Sequence, residues 1–298
     1  MKKYSSRKIK QSVFIALMLT PAIVGFFIFY IYVNFKSVFM AFSFEKGGET
    51  FYGLDNFVRF FKEFTLPDTI FKDTIFNTLR TYLSSILIVY PVSIIMCYFI
   101  YKKIAGYKFF RCLFYVPAII MPTVSVVLFK YIISSEGPID VLLVKLFGVN
   151  VPEFLSDGSL AMSTIIVYSV YFAFGGNILY FGGAMNGISQ EVIESAKLDG
   201  CGWVRELVSI IIPMIWPTFS TLLLTASVGI FTASGPVLLF TKGGFDTYTI
   251  SFWIYEQMLE GGDLEFASAV GISCTIIGFP IVLLIKYVLN KIGDKVGI

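Results

Sequence analysis

Residues 191–218 read EVIESAKLDGCGWVRELVSIIIPMIWPT. The stretch opens polar, turns at two glycines and closes on an apolar run with Pro213 and Pro217. Ser189, just upstream, suits the N-cap of a helix starting near Gln190. Glu191 then falls in the first turn, where the helix dipole favours negative charge. Ile193, Ala196 and Gly200 recur at i, i+3 and i+7, a small-to-apolar stripe. Gly200 suits a left-handed helix stop, and a second helix is expected from near Trp203 to Pro213. A short helix, a glycine elbow and another helix thus interrupt a chain that is otherwise apolar on both sides.

The surroundings define the class. The 298 residues are 56% hydrophobic, 17% aromatic and 14% charged, against about 25% charged in soluble domains. Six apolar runs, near 13–33, 82–100, 113–133, 160–184, 208–231 and 266–289, each approach the roughly 20 residues needed to cross a bilayer. The expected fold is all-α, a polytopic membrane protein of about six transmembrane helices. Its parts are an N-terminal tail (1–12), a first transmembrane helix with an outer loop (13–77), a five-helix core (78–290) holding the polar loop at 186–213, and a tail (291–298). MKKYSSRKIK resembles the basic start of a signal peptide. The run after it is too long for one and no A-x-A site follows, so it reads as a retained anchor.

Lys and Arg counts orient the chain. Lys2, Lys3, Arg7, Lys8 and Lys10 precede span one; Lys102, Lys103, Lys108 and Arg111 lie between spans two and three; Lys291 and Lys295 close the tail. The segments after spans three and five are mainly acidic. Both termini and the 191–218 stretch are therefore expected in the cytoplasm. The outer segment 34–77, with FYGLDNFVRFFKEF, admits a short interfacial helix, although a solvated loop with aromatic anchors is the default reading.

Several chemistries are absent. The chain has no histidine, hence no histidine base, ligand or phosphoryl carrier. Cys97, Cys112, Cys201 and Cys274 lack CxxC spacing and read as small hydrophobes. No metal site, cofactor or catalytic constellation is indicated, and a net charge of +3 gives no footprint for nucleic acid. Span centres hold no carboxylate or arginine, which argues against proton coupling; Lys130 can snorkel from the end of span three. No G-x-x-x-x-G-K-[ST] loop occurs, so ATP is not bound in the P-loop way.

Polar groups at span depth are the path candidates: Tyr168, Tyr171 and Asn177 in span four, and Ser234 at the end of span five. Small and hydroxyl residues also serve helix packing. The functional alternative is a polar, uncharged route for a hydroxylated solute, with rings stacking on a sugar face and Asn or Ser bonding its hydroxyls.

The 191–218 stretch closely resembles the signature loop of binding-protein-dependent ABC importer permeases. That pattern, E-A-A, three residues, G, nine residues, I-x-L-P, appears here as Glu194-Ser195-Ala196, then Asp199-Gly200, then Ile210 through Pro213. Ser195 replaces the first Ala, Ile212 the Leu, Cys201 a usual Ala and Ser189 a frequent Pro. YGLDNFVRFF, Asn77-Thr78-Leu79, the proline-rich 109–132 and TKGGFDTYTISFWIYEQ are similar to elements of the carbohydrate-uptake subfamily, of the maltose and glycerol-phosphate first-permease type. The chain lacks the Pro expected after Gly244, and the extra spans and outer insertion of the maltose member.

The resemblance implies a type I importer permease fold in the bacterial plasma (inner) membrane. It implies ATPase-coupling roles for Glu194, Ser195, Ala196, Asp199, Gly200, Ile210 and Pro213, with Glu194 the polar anchor and Asp199 holding the elbow. Implied partners are a second homologous permease, a cytoplasmic ABC ATPase dimer and an extracytoplasmic solute-binding protein, all set in membrane lipid. The implied function is ATP-driven uptake of a sugar or oligosaccharide, with hydrolysis by a separate subunit. The alternatives are the same importer for a polyol phosphate such as glycerol 3-phosphate, or a secondary carrier.

Overall fold

The computed structural model describes residues 2–66, 69–148, 152–231 and 236–296. Four continuous helices are long and apolar enough to cross a membrane: α1 (Lys8–Phe42), α3 (Ile70–Tyr101), α7 (Gly158–Asn186) and α13 (Leu264–Asp294). Two bent pairs raise the number to six: α4 (Tyr107–Ile119) with Pro122–Phe147, and α9 (Trp203–Met214) with α10 (Trp216–Val228). Four of the expected six spans are matched in place; at the third and fifth stand the two bent pairs, with bends of 111° and 69°, which complete the six if each pair counts as one span.

Proline chemistry sets both breaks. Met121 precedes Pro122 and adopts φ −56°, ψ 132°, because the proline ring clashes with an α-conformation in its predecessor. Pro122 then starts α5 (Pro122–Ile133), and Pro138 starts α6 (Pro138–Phe147). At the second break Pro217 sits in the first turn of α10, where its missing N–H has no helical partner to lose.

The chain divides into two compact units. The first holds residues 1–65 and 256–274. Within it, Gly47 and Gly48, both at positive φ (68° and 86°), turn strand β1 (Ser43–Lys46) into β2 (Glu49–Tyr52). A Gly-Gly pair is one of the few that allow positive φ at both turn positions. Next comes α2 (Asp55–Thr65), where the Asn56 amide donates to the carbonyls of Ala41 (3.2 Å) and Ser43 (2.7 Å). Arg59 reaches Glu63 at 2.9 Å and Asp263 at 2.7 Å, and its guanidinium lies 3.9 Å over the Phe266 ring. The outer segment is therefore a hairpin and a helix rather than a solvated loop. Residues 70–77 belong to α3, which starts a full twelve residues before the expected span two.

The second unit holds residues 66–255 and 275–298. Val89, Tyr90, Ile94, Cys97 and Tyr98 of α3 pack with Ile178, Phe181 and Met185 of α7 and Leu207, Ile211 and Ile215 of the 203–215 segment. In a bilayer this packing gains van der Waals contact rather than water exclusion, so close approach decides it. Gly175 provides that approach: a Cβ there would stand 2.6 Å from Ala118 Cβ and 2.7 Å from the Phe114 carbonyl. Polar links fasten the helices, with the Tyr82 hydroxyl 2.6 Å from Ser227 Oγ and Tyr90 donating to the Leu222 carbonyl at 3.0 Å. The Asp157 carboxylate caps α7, accepting from the Ser159 hydroxyl (2.7 Å) and N–H (2.8 Å). These bonds hold it below the usual carboxylate range. All four cysteines are free; Cys97 and Cys274 are buried, whereas Cys112 is exposed.

Candidate coupling helix and solute cavity

The polar stretch forms α8 (Gln190–Leu198). Ser189 has the extended backbone of an N-cap, but its hydroxyl makes no capping bond. The stop is a Schellman motif: the Gly200 N–H donates to Lys197 O at 3.0 Å and the Cys201 N–H to Ala196 O at 3.0 Å. Gly200 sits at φ +72°, the left-handed C′ position that glycine fills without a Cβ clash. Nothing lies within 4 Å of where its Cβ would be.

Of the α8 residues given coupling roles, Ala196 faces inward. Ile193 and Ala196 are buried, and Ile193 belongs to the α3–α7 core. The apolar stripe therefore seats the helix on its own protein, as apolar stripes do by default. Facing away are Glu191, Glu194, Ser195 and Leu198, the last 89% exposed. Leu198 was missed by the sequence reading, although 191, 194 and 198 repeat at helical spacing as plainly as 193, 196 and 200. Asp199 is exposed, and its carboxylate makes no hydrogen bond or ion pair among the described residues. Backbone bonds of Gly200 and Cys201, not Asp199, hold the elbow. Ile210 and Pro213 are partly buried in α9, inside a π-helical turn (Leu207–Ile211) and just after it. They lie on the path into the membrane rather than on the surface of α8.

A buried ion pair, also unseen in sequence, braces this region. Lys102 caps α3 and pairs with Glu206 of α9; their side chains are 19% and 4% exposed. The Tyr98 hydroxyl lies against the same carboxylate.

The path candidates separate. A cavity of about 410 Å³ lies at the bend between α4 and α5, lined by Pro117, Ser125, Tyr168, Ser169, Phe172 and Leu239 among others. Tyr168 is buried, with Phe172, Phe240 and Phe129 rings at 4.3, 4.9 and 5.2 Å. Its hydroxyl is 2.7 Å from Ser125 Oγ, which donates to Pro122 O at 2.8 Å. The arrangement that makes both bonds puts the one Ser125 proton on Pro122 O and leaves Tyr168 as the donor in their pair. Ser169 spends its proton on Ile165 O at 2.8 Å. What these hydroxyls offer the cavity is therefore acceptor lone pairs.

Tyr171 and Asn177 do not line this cavity. Asn177 follows Tyr168 by nine residues, about half a turn out of phase at 100° per residue. Its amide donates to Ala173 O of its own helix at 2.9 Å, which supplies the partner a mid-span amide requires. Tyr171 is exposed, edge-on to Phe172. Ser234 lies outside the described residues.

The loop after α11 (Val237–Phe240) closes one end of this region. Lys242, Phe245 and Asp246 all have positive φ, a conformation rarely kept without support from neighbours. The support comes from Asn77, whose amide donates to Asp246 O (2.7 Å) and Tyr248 O (3.1 Å), and from Thr78, which accepts the Ile250 N–H (3.0 Å) at the start of α12 (Ile250–Glu256). The Asn77-Thr78-Leu79 element is thus a clamp. Lys130 Nζ donates to Leu239 O at 2.8 Å nearby.

The chain is similar to known proteins. The sn-glycerol-3-phosphate transport system permease protein UgpA of Shigella dysenteriae is 28% identical over 246 residues, 81% of each chain. The arabinooligosaccharides transport system permease protein AraP of Bacillus subtilis is 22% identical over 268 residues, 88% of this chain and 83% of its own. Among solved structures, a bacterial ABC transporter involved in import of the acidic polysaccharide alginate superposes with a TM-score of 0.83. It covers 97% of this chain and 99% of its own at 24% identity, a likeness of fold. Residues 91–296, well over half the length, match one family throughout, and the chain belongs to the binding-protein-dependent transport system inner membrane components.

Proposed function

We propose that this protein is the membrane-spanning permease subunit of an ATP-driven importer, forming the path for a neutral sugar or oligosaccharide. The proton bookkeeping in the 410 Å³ cavity carries the reading. Aromatic faces beside hydroxyl lone pairs suit a solute that brings its own O–H donors, as a sugar does. Tyr168, Ser125 and Ser169 are the assigned contacts. A relative named for arabinooligosaccharide transport supports the same class.

Energy comes from a separate ATPase dimer, for which the Glu191, Glu194, Ser195 and Leu198 face of α8 is the docking surface. The Lys and Arg distribution puts that face and both termini in the cytoplasm. A second, homologous permease and an external solute-binding protein complete the assembly. A solved alginate transporter is in complex with a periplasmic protein carrying an alginate pentasaccharide.

The UgpA likeness favours a second reading, uptake of glycerol 3-phosphate. A phosphate is all acceptor and calls for Arg, Lys or free donors. Among the described residues the cavity lining includes no cation, which favours the neutral solute. Uptake of labelled neutral oligosaccharides and of glycerol 3-phosphate, in cells with and without this chain, separates the two. Tyr168→Phe keeps the ring, removes the acceptor and should weaken sugar uptake about fivefold to tenfold, the scale of one net hydrogen bond. Chain-dependent glycerol 3-phosphate uptake that neutral sugars do not compete would sink the sugar reading.

A further inference from the structure

A second cavity of about 220 Å³ opens where α3, α4 and α7 end together. It is smaller than the roughly 300–1,000 Å³ of typical small-molecule sites, and its chemistry is opposite to that of the solute cavity. Lys103 and Arg111 line it with the phenols of Tyr101, Tyr107 and Tyr115, and no carboxylate does. Among the described residues neither cation has a carboxylate partner. Arg111 lies 5.6 Å over the Tyr115 ring. Across the cavity, Gly182 and Gly183 leave room; a Cβ on Gly183 would meet nothing within 4 Å.

Lys103 supplies an independent sign. The α3 stop is a Schellman motif like that of α8, with the Lys103 N–H on Ile100 O (3.1 Å) and the Ile104 N–H on Phe99 O (3.4 Å). The C′ position, where α8 has Gly200, is here Lys103 at φ +53°. A lysine in the place that favours glycine sacrifices backbone ease to put an ammonium at the cavity.

We propose that this cavity binds a phosphate group, supplied by the headgroup of an acidic phospholipid. Charge-assisted donors from Lys103 and Arg111 would hold the phosphate oxygens, with tyrosine hydroxyls beside them. Ile100 and Leu179 also line the cavity, and Leu179 is 62% exposed, which continues the site with apolar surface suited to an acyl chain. Basic clefts between spanning helices on the cytoplasmic side select anionic headgroups. The proposal rests on the membrane reading and is independent of which solute is carried.

The complete transporter, purified in neutral detergent, is titrated with phosphatidylglycerol or phosphatidylcholine while its melting temperature is followed. Phosphatidylglycerol should raise the melting temperature saturably and phosphatidylcholine should not. Lys103→Gly relieves the positive φ, so the fold survives; it and Arg111→Gln should each weaken the phosphatidylglycerol effect about fivefold, and together about twentyfold. Equal responses to the two lipids, or an effect unchanged in the variants, would overturn the site. Parallel titrations with inorganic phosphate and glycerol 3-phosphate identify the source. Saturation by either through the same two residues, without a phosphatidylglycerol effect, overturns the lipid assignment in favour of a soluble phosphate.

Discussion

The buried Lys102–Glu206 pair makes an asymmetric prediction. The Glu206 side chain is 4% exposed and that of Lys102 is 19% exposed. Lys102→Met leaves the carboxylate sealed in, with the Tyr98 hydroxyl beside it. Removing one partner of a buried pair costs about 3–5 kcal/mol, and the depth of Glu206 puts this variant in that range. Glu206→Gln strands the ammonium instead; Nζ is itself buried, but the side chain is 19% exposed and its flexible stem lets the ammonium swing out to water. That loss should be near 1 kcal/mol, the net worth of a hydrogen bond. Replacing both by Met removes both desolvation penalties, and such swaps are often neutral or stabilising. The expected order is therefore Lys102→Met much worse than Glu206→Gln, with the double variant back near the parent. Reversible unfolding of the transporter in mixed micelles measures all three, and adding Glu206→Met closes the double-mutant cycle. A Glu206→Gln loss equal to that of Lys102→Met would show that the carboxylate is not sealed as described, and an additive double variant would refute the pairing itself.

Three further outcomes follow from local geometry. Gly200→Val should cost about 1–2 kcal/mol through its left-handed backbone alone, since nothing crowds the position. Membrane insertion should persist while uptake is lost and ATP hydrolysis is uncoupled, and Gly200→Asn should be milder; normal transport by the valine variant would remove the elbow from coupling. Asn77→Ala breaks two bonds to the 241–249 loop and should cost about 1–3 kcal/mol. Hydrogen exchange should rise at 245–250 and not in α8. Gly175→Leu forces α4 from α7, because both close neighbours are a backbone carbonyl and a Cβ. A loss of at least about 1–3 kcal/mol is expected, read as a lowered melting temperature, whereas Gly176→Leu, where a Cβ would meet nothing within 4 Å, should leave melting unchanged.

How much was legible depended on whether the signal was local. The six spans follow from run length, and the glycine elbow from one residue whose backbone preference needs no context. The breaks in spans three and five were written as Pro122 and Pro217, yet hydropathy reads straight through a proline, so the runs looked unbroken. The hairpin was equally local in Gly47-Gly48, but the aromatic-rich surroundings masked it. The face of α8 was a different failure. Two stripes share that helix, and only the tertiary core decides that Ile193 and Ala196 seat it while Glu194 and Leu198 project. At Asn177 a mid-span amide needs a partner, and the carbonyl four residues back on its own helix is one. Lys102 and Glu206 lie 104 positions apart, and nothing in either neighbourhood announces a pair. What the sequence could not supply is the proton count at Tyr168, since a hydroxyl's role is set by which neighbour has already taken its hydrogen. That count separates the two cavities. One is lined by hydroxyls and rings and the other by Lys103 and Arg111, so a glycerol phosphate bound by this chain should be felt at Lys103 and Arg111 before it is felt at Tyr168.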